Sequence, residues 1–128
     1  MIMMKRDEKL LVVEDNPLIA EALEKAGQAL NLQVDVATDG WDAIERLRTE
    51  TYGGIVVDTD MPRQSGYGVL TYLRQENGDG FANVVVVTSG DRDDVRHRVS
   101  DSLNVVHKAD PIDADLLMRL FAEEEVSE

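Results

Sequence analysis

The stretch Gly53–Gly68, GGIVVDTDMPRQSGYG, decides how the chain is read. Ile55-Val56-Val57 is a short β-branched run of the kind that forms a buried strand. It stops at Asp58, and Pro62, Gly66 and Gly68 follow within the next ten residues, so the chain turns there. A carboxylate at the carboxyl end of a buried strand lies where open α/β sheets place their ligands. Taken alone, an aspartate after a strand does no more than begin a loop. Other strands of this chain also end in polar residues, and together they give Asp58 more weight.

Upstream, Leu10-Leu11-Val12-Val13 reads as a strand that ends in Glu14-Asp15. Asn16-Pro17 supplies an N-cap and a first-turn proline. Leu18, Ile19, Ala22, Leu23, Ala26 and Leu30 then recur at helical spacing as one packed face. Residues Leu32 to Ala37 alternate as a half-buried strand does. Thr38-Asp39-Gly40 turns the chain into a second helix with Trp41, Ile44 and Leu47 on its apolar side, Trp41 packing at the helix start.

Downstream, Val69, Leu70 and Leu73 mark a third helix, which ends before the connector Asn77-Gly78-Asp79-Gly80. Val84 to Val87 is the unbroken run of a strand covered on both faces, and it ends in Thr88-Ser89-Gly90. A polar helix is expected over 92–102, and Val105-Val106 makes a short last strand ending near His107-Lys108. Asp113 caps a final helix bearing Leu116, Leu117, Leu120 and Phe121. Five strands alternating with five helices predict a doubly wound parallel α/β sheet. One domain is expected over 9–124, with an N-terminal extension at 1–8 and an acidic tail at 125–128.

The 128 residues suffice for one domain with a substantial core, and 43% hydrophobic with 30% charged residues is ordinary for a soluble globular protein. No stretch approaches the roughly 20 apolar residues needed to span a bilayer. The opening MIMMKRDEK is too poor in apolar sequence for a signal peptide. Cysteine is absent, so disulfide and thiol chemistry are excluded, and a cytoplasmic location with no membrane partner is expected. A net charge of −13 argues against nucleic acid as a direct partner, because phosphate contacts need clustered lysine and arginine.

In a parallel sheet all carboxyl ends share one edge. Glu14-Asp15, Asp58, Thr88 and Lys108 are therefore expected in one crevice despite their separation along the chain. Crowded carboxylates repel one another. A hard divalent cation, Mg²⁺ first and Mn²⁺ in its place, relieves that repulsion through oxygen ligands. A hydroxyl and an ammonium beside such a site suit a phosphoryl group, whose oxygens need neutralising donors.

VVEDNP at 12–17, VVDTDMP at 56–62 followed by Ser65-Gly66, Thr88-Ser89 and the lysine after strand five together resemble the receiver domain of two-component response regulators. The resemblance runs over nearly the whole chain. It implies a flavodoxin-like, CheY-like (βα)5 fold with a five-stranded parallel sheet of order 2-1-3-4-5. It also implies phosphorelay signalling, with an aspartate phosphorylated by a sensor histidine kinase or a histidine phosphotransfer protein. Asp58 would be the phosphoacceptor, attacking the phosphorus of a phosphohistidine. Asp15 would bind Mg²⁺ directly, with Glu14 beside it through water, and the backbone carbonyl of Asp60 would complete the protein ligands. Thr88 would hydrogen-bond one phosphoryl oxygen and Lys108 would pair with another, while Gly66 would permit the turn into the third helix. The protein would catalyse only its own phosphoryl transfer and autodephosphorylation. With one domain in view, output is expected by contact with a downstream protein target. The face formed by the fourth helix, fifth strand and fifth helix would serve for that contact or for a homodimer.

The chain departs from the family after strand five. Where the family has Lys-Pro, it reads Lys108-Ala109-Asp110-Pro111-Ile112-Asp113. Taking Lys108 as the family lysine keeps Val105-Val106 in the strand and preserves the chemistry, and that alignment is favoured. Ungapped counting from Thr88 puts Asp110-Pro111 in the Lys-Pro place instead. The family's aromatic residue, three before the lysine, would be Val105 in the first alignment and His107 in the second. With Asp110 in the site, the chain would be a pseudo-receiver that acts as an interaction module without phosphorylation. The Asp60 side chain would lie near the approach of water and tune the lifetime of the aspartyl phosphate. VVDTD also looks like the DxD motif of haloacid-dehalogenase-type phosphatases, but that family usually has Thr or Val where Pro62 stands and carries the motif near its N-terminus.

Overall fold

The apolar runs at Leu10–Val13, Ile55–Val57 and Val84–Val87 have no polar face to turn to water, so they belong inside a sheet covered on both sides. The computed structural model, which describes residues 9–61, 66–77, 84–88, 90, 104–107 and 113–122, places them there. Its strands are β1 (Lys9–Val13), β2 (Gln33–Ala37), β3 (Gly54–Asp58), β4 (Val84–Thr88) and β5 (Asn104–His107). They form one parallel sheet in the order β2-β1-β3-β4-β5. Helices α1 (Pro17–Ala29), α2 (Gly40–Thr49) and α3 (Gly66–Asn77) and the C-terminal helix Ala114–Ala122 cover its faces.

Alternation along the strands sends successive side chains into two separate cores. Leu11, Val13, Val57 and Val86 pack with Ala43 of α2 and with Val69, Leu70 and Leu73 of α3. Leu10, Val12, Val56 and Val87 pack with Leu23 and Ala26 of α1 and with Leu116 and Leu117 of the C-terminal helix. The expected doubly wound α/β architecture and its strand order are thus what the chain adopts.

The caps read from sequence are in place. The Asn16 side chain accepts from the N–H groups of Leu18 at 2.9 Å and Ile19 at 3.4 Å, and Pro17 opens α1. Asp39 caps α2 by accepting from the N–H of Asp42 at 2.8 Å. Asp113 caps the C-terminal helix through the N–H of Leu116 at 2.9 Å.

Two packing assignments are corrected. Leu18 does not share the packed face of α1: it is 76% exposed, and the helix buries Ala20, Leu23, Ala26 and Gly27. Trp41 does not pack at the start of α2 but stands 63% exposed, with Ile44 and Leu47 carrying the apolar side. The polar helix expected over 92–102, the segment 1–8, the tail 125–128, and Lys108 with Asp110 lie outside the described residues.

On the α2 side of the edge strand, the Tyr52 hydroxyl donates to Asp35 at 2.7 Å. Lys9 bonds Glu50 at 2.7 Å, and Arg46 lies 3.8 Å from Asp35. Burial, then the bond to the Asp35 carboxylate, push the Tyr52 phenol up to about 12.

Candidate functional site

The parallel sheet brings three strand ends to one edge. Glu14 follows β1 directly, and its N–H continues the ladder by donating to the carbonyl of Ala37 at 3.0 Å. Asp58 is the last residue of β3 and Thr88 the last of β4. Glu14, Asp58 and Thr88 are each 1% exposed, whereas Asp15 is open to solvent.

Carboxylate oxygens of Glu14, Asp15 and Asp58 lie within 4.8 Å of one another. Two unit charges about 5 Å apart repel by roughly 3 kcal/mol at an effective dielectric of 20. Solvent around Asp15 reduces its share, but Glu14 and Asp58 have no such screening. Main-chain donors offset part of the cost. The N–H of Asn16 donates to Glu14 Oε2 at 3.1 Å, and the N–H of Asp60 donates to Asp58 Oδ1 at 2.9 Å. The loop after β3 is anchored in turn by the Thr59 N–H, which donates to the Val87 carbonyl at 3.1 Å, and by the buried side chain of Met61.

A compact set of three carboxylates is a hard-oxygen donor set of the kind that holds a small divalent cation, and the residues fit that role. Three of the four predicted metal residues, Glu14, Asp15 and Asp58, are therefore brought together. Asp60 sits two residues beyond Asp58 with an exposed side chain, and its N–H already holds Asp58. Thr88 Oγ1 accepts from the N–H of Gly90 at 2.9 Å, so the hydroxyl proton is left to be given to a ligand oxygen.

Gly66 begins α3 hard against β3. An added Cβ there would collide with the Asp58 carbonyl oxygen and stand 2.8 Å from Val57 Cγ1. The turn expected at this glycine is thus a close backbone approach that only a residue without a side chain permits.

The register of β4 and β5 places both residues that the two alignments offered for the family's aromatic position. His107 pairs with Thr88, and Val105 pairs two residues back with Val86. Registered residues of parallel strands share a face, so the half-buried His107 stands beside Thr88, while Val105 is 4% exposed in the core.

Comparison with known proteins agrees with this geometry. The family model for the response regulator receiver domain matches residues 10–118. The transcriptional regulatory protein DltR of Streptococcus agalactiae is 39% identical over 67 residues, 52% of this chain and 30% of that protein. The response regulator MprA of Mycobacterium ulcerans is 32% identical over 92 residues, 72% of this chain and 38% of that protein. The chain thus matches about a third of the length of these curated relatives. Among solved structures, a Francisella response regulator receiver domain superposes with a TM-score of 0.74 at 25% identity, covering 92% of this chain and 99% of that one. TrrA of Thermotoga maritima, a response regulator protein in complex with Mg²⁺ and a beryllium fluoride, has a TM-score of 0.68 at 28% identity, covering 80% and 87%.

Proposed function

The chain belongs to the response regulator receiver domain family, and from that premise we propose that it accepts a phosphoryl group on Asp58 and passes the signal on by protein contact. The receiver domain supports phosphorelay signalling; the residues and the route are our reading. The observation that carries it is the meeting of Asp58, Glu14 and Asp15 within 4.8 Å at the edge where Thr88 ends the adjacent strand.

In this reading a carboxylate oxygen of Asp58 attacks the phosphorus of a phosphohistidine. The P–N bond breaks, its electron pair stays on the imidazole nitrogen, and an acyl phosphate forms. Glu14, Asp15 and Asp58 would hold Mg²⁺, the ion bound by TrrA, with the backbone carbonyl of Asp60 completing the ligands, and Mn²⁺ would serve in its place. The bound ion supplies positive charge next to the phosphoryl oxygens. The Asp60 N–H orients the attacking carboxylate, and Thr88 donates its hydroxyl to a phosphoryl oxygen. Lys108 follows the last residue of β5 and gives its ammonium to another. Asp60 modulates the attack of water on the acyl phosphate. The chain turns over no other substrate.

The receiver domain occupies 9–124, between the extension 1–8 and the tail 125–128, and works in the cytoplasm. Its phosphoryl donor is a sensor histidine kinase or a histidine phosphotransfer protein, and its target is a protein. β5 and the final helix contribute to the contact face for that target or for a second copy. Among the described residues no helix is long and apolar enough to cross a membrane.

The test is incubation with Mg²⁺ and acetyl phosphate, read by intact mass. Wild type is expected to gain one phosphoryl group, and Asp58→Ala or removal of the metal to abolish it. Absence of modification in the wild type would leave an interaction module in place of a phosphorylated receiver.

A further inference from the structure

The β2 margin of the sheet carries an open strand edge whose groove runs up to Glu14 and Asp15 of the phosphoryl site. The Glu14 N–H bonds the Ala37 carbonyl, and β1 pairs with β2 so that Leu10 meets Val34 and Val12 meets Val36. Backbone polar groups alternate in direction along a strand. Gln33, Asp35 and Ala37 therefore turn theirs towards β1, and Val34 and Val36 turn theirs outward. Because β2 is the outermost strand, two N–H and two C=O groups face away from the sheet, with no hydrogen bond to them among the described residues.

A groove of about 500 Å³ surrounds this edge, within the size range of ligand clefts. The half-buried Val34 and Val36 lie along it. Its charged lining among the described residues is one-sided: Glu14, Asp15, Glu21, Glu24 and Asp35 against the cation Arg46. Asp35 is shared with Arg46 at 3.8 Å and Lys9 at 3.9 Å, and Glu21 with Lys25 at 3.3 Å, and the five lining acids still outnumber these three cations.

We propose that this groove takes an extended, lysine- or arginine-bearing segment of a partner protein, which pairs with the outward backbone groups of Val34 and Val36 as a sixth strand. Adding a strand to an open edge obtains its affinity from main-chain hydrogen bonds and its selectivity from alternate side chains. Here the alternate side chains meet carboxylates, so the segment must be basic. A second copy would bring the same carboxylates against these, and like charges across a strand pair oppose it. Phosphate backbones are opposed for the same reason.

The experiment uses the full chain, isotope-labelled for NMR, and the acetylated, amidated peptide Lys-Val-Arg-Val-Lys as probe at low salt. Saturable shifts and slowed amide exchange are expected at Val34 and Val36. Affinity should fall about tenfold or more when alternate peptide nitrogens are methylated, and by a similar factor with Glu21→Lys combined with Glu24→Lys. Circular dichroism checks the fold of that variant, and Glu21→Gln with Glu24→Gln replaces it if it does not fold. Acetyl phosphate labelling of Asp58 should be unchanged in either, which separates this inference from the phosphoryl-transfer reading.

Shifts confined to other strands, an undiminished affinity of the methylated peptide, or insensitivity to the charge changes would each overturn the proposal. So would absence of saturable binding. Concentration-dependent dimerisation that protects the same two amides would overturn it in favour of a second copy.

Discussion

Gly66→Ala should destabilise the protein although alanine is the better helix former. An ideal Cβ on Gly66 would overlap the carbonyl oxygen of Asp58 and lie 2.8 Å from both the Asp58 carbonyl carbon and Val57 Cγ1. Two of these atoms are backbone of a central strand, and Val57 is fully buried, so none is the loose end of a side chain that could swing aside. Overpacking of this kind costs about 1–3 kcal/mol. The propensity gain of alanine over glycine is at most about 1 kcal/mol, and less at a first helical residue. A net loss of about 2 kcal/mol corresponds to a fall in Tm of roughly 6–12 °C for a domain of this size. Thermal and urea unfolding followed by circular dichroism measure it. Because the displaced atoms belong to Asp58, acetyl phosphate labelling should also slow at temperatures where the variant is fully folded. A variant that melts at or above the wild-type temperature would refute the close-approach argument.

Other outcomes follow from single contacts. Asn16→Ala removes the acceptor for two helix N–H groups and should cost about 1 kcal/mol in urea unfolding, with an unchanged Cm counting against the cap. Asp58→Asn should raise Tm in metal-free buffer by removing one of three crowded carboxylates. It should also abolish the stabilisation, about 1.4 kcal/mol at ten times the dissociation constant, that Mg²⁺ gives the wild type. Asp60→Ala should change the dephosphorylation rate, and equal rates in the two proteins would remove Asp60 from that step. Tyr52 should ionise near pH 12 in a 295 nm titration, and Tyr52→Phe should delete that late phase. Its folded-state pKa lies above the ordinary 10.0, so its contribution to stability is complete below pH 10 and lost as pH rises through about 12.

The sheet was legible because its central strands are unbroken apolar runs, each ended by a polar residue. A parallel topology then places those ends on one edge without any knowledge of side-chain geometry. Helix faces were less legible. At 100° per residue Leu18 lies roughly 140° around α1 from the buried Leu23, so sharing a repeat with Ala22 does not put it in the core. Trp41 follows the buried Gly40 by one residue, a rotation of about 100°, and that carries the indole out of the α2 stripe. The donors that hold the two buried acids and Thr88 could not be read at all. The N–H groups of Asn16, Asp60 and Gly90 act through the path of a turn, which residue type does not specify. The placing of His107 opposite Thr88 likewise comes from strand register, a property of the pairing of two segments and of neither one alone.

The arrangement of donors also bears on why the acids are placed where they are. Glu14 and Asp58 are nearly inaccessible to water, yet each receives a main-chain N–H from the residue two positions on, Asn16 and Asp60. These bonds support individual carboxylates and fix their directions, but they do nothing to separate the charges. The remaining repulsion among Glu14, Asp15 and Asp58 is a property of the group and is relieved only by a cation between them or by loss of a charge. The valine-rich strands beneath supply the stability that lets such a group persist, since their packing does not depend on it. In the proposed function, cation binding and reaction at Asp58 draw on the same unfavourable energy. A substitution that relaxes the crowding should stabilise the fold and weaken the site together.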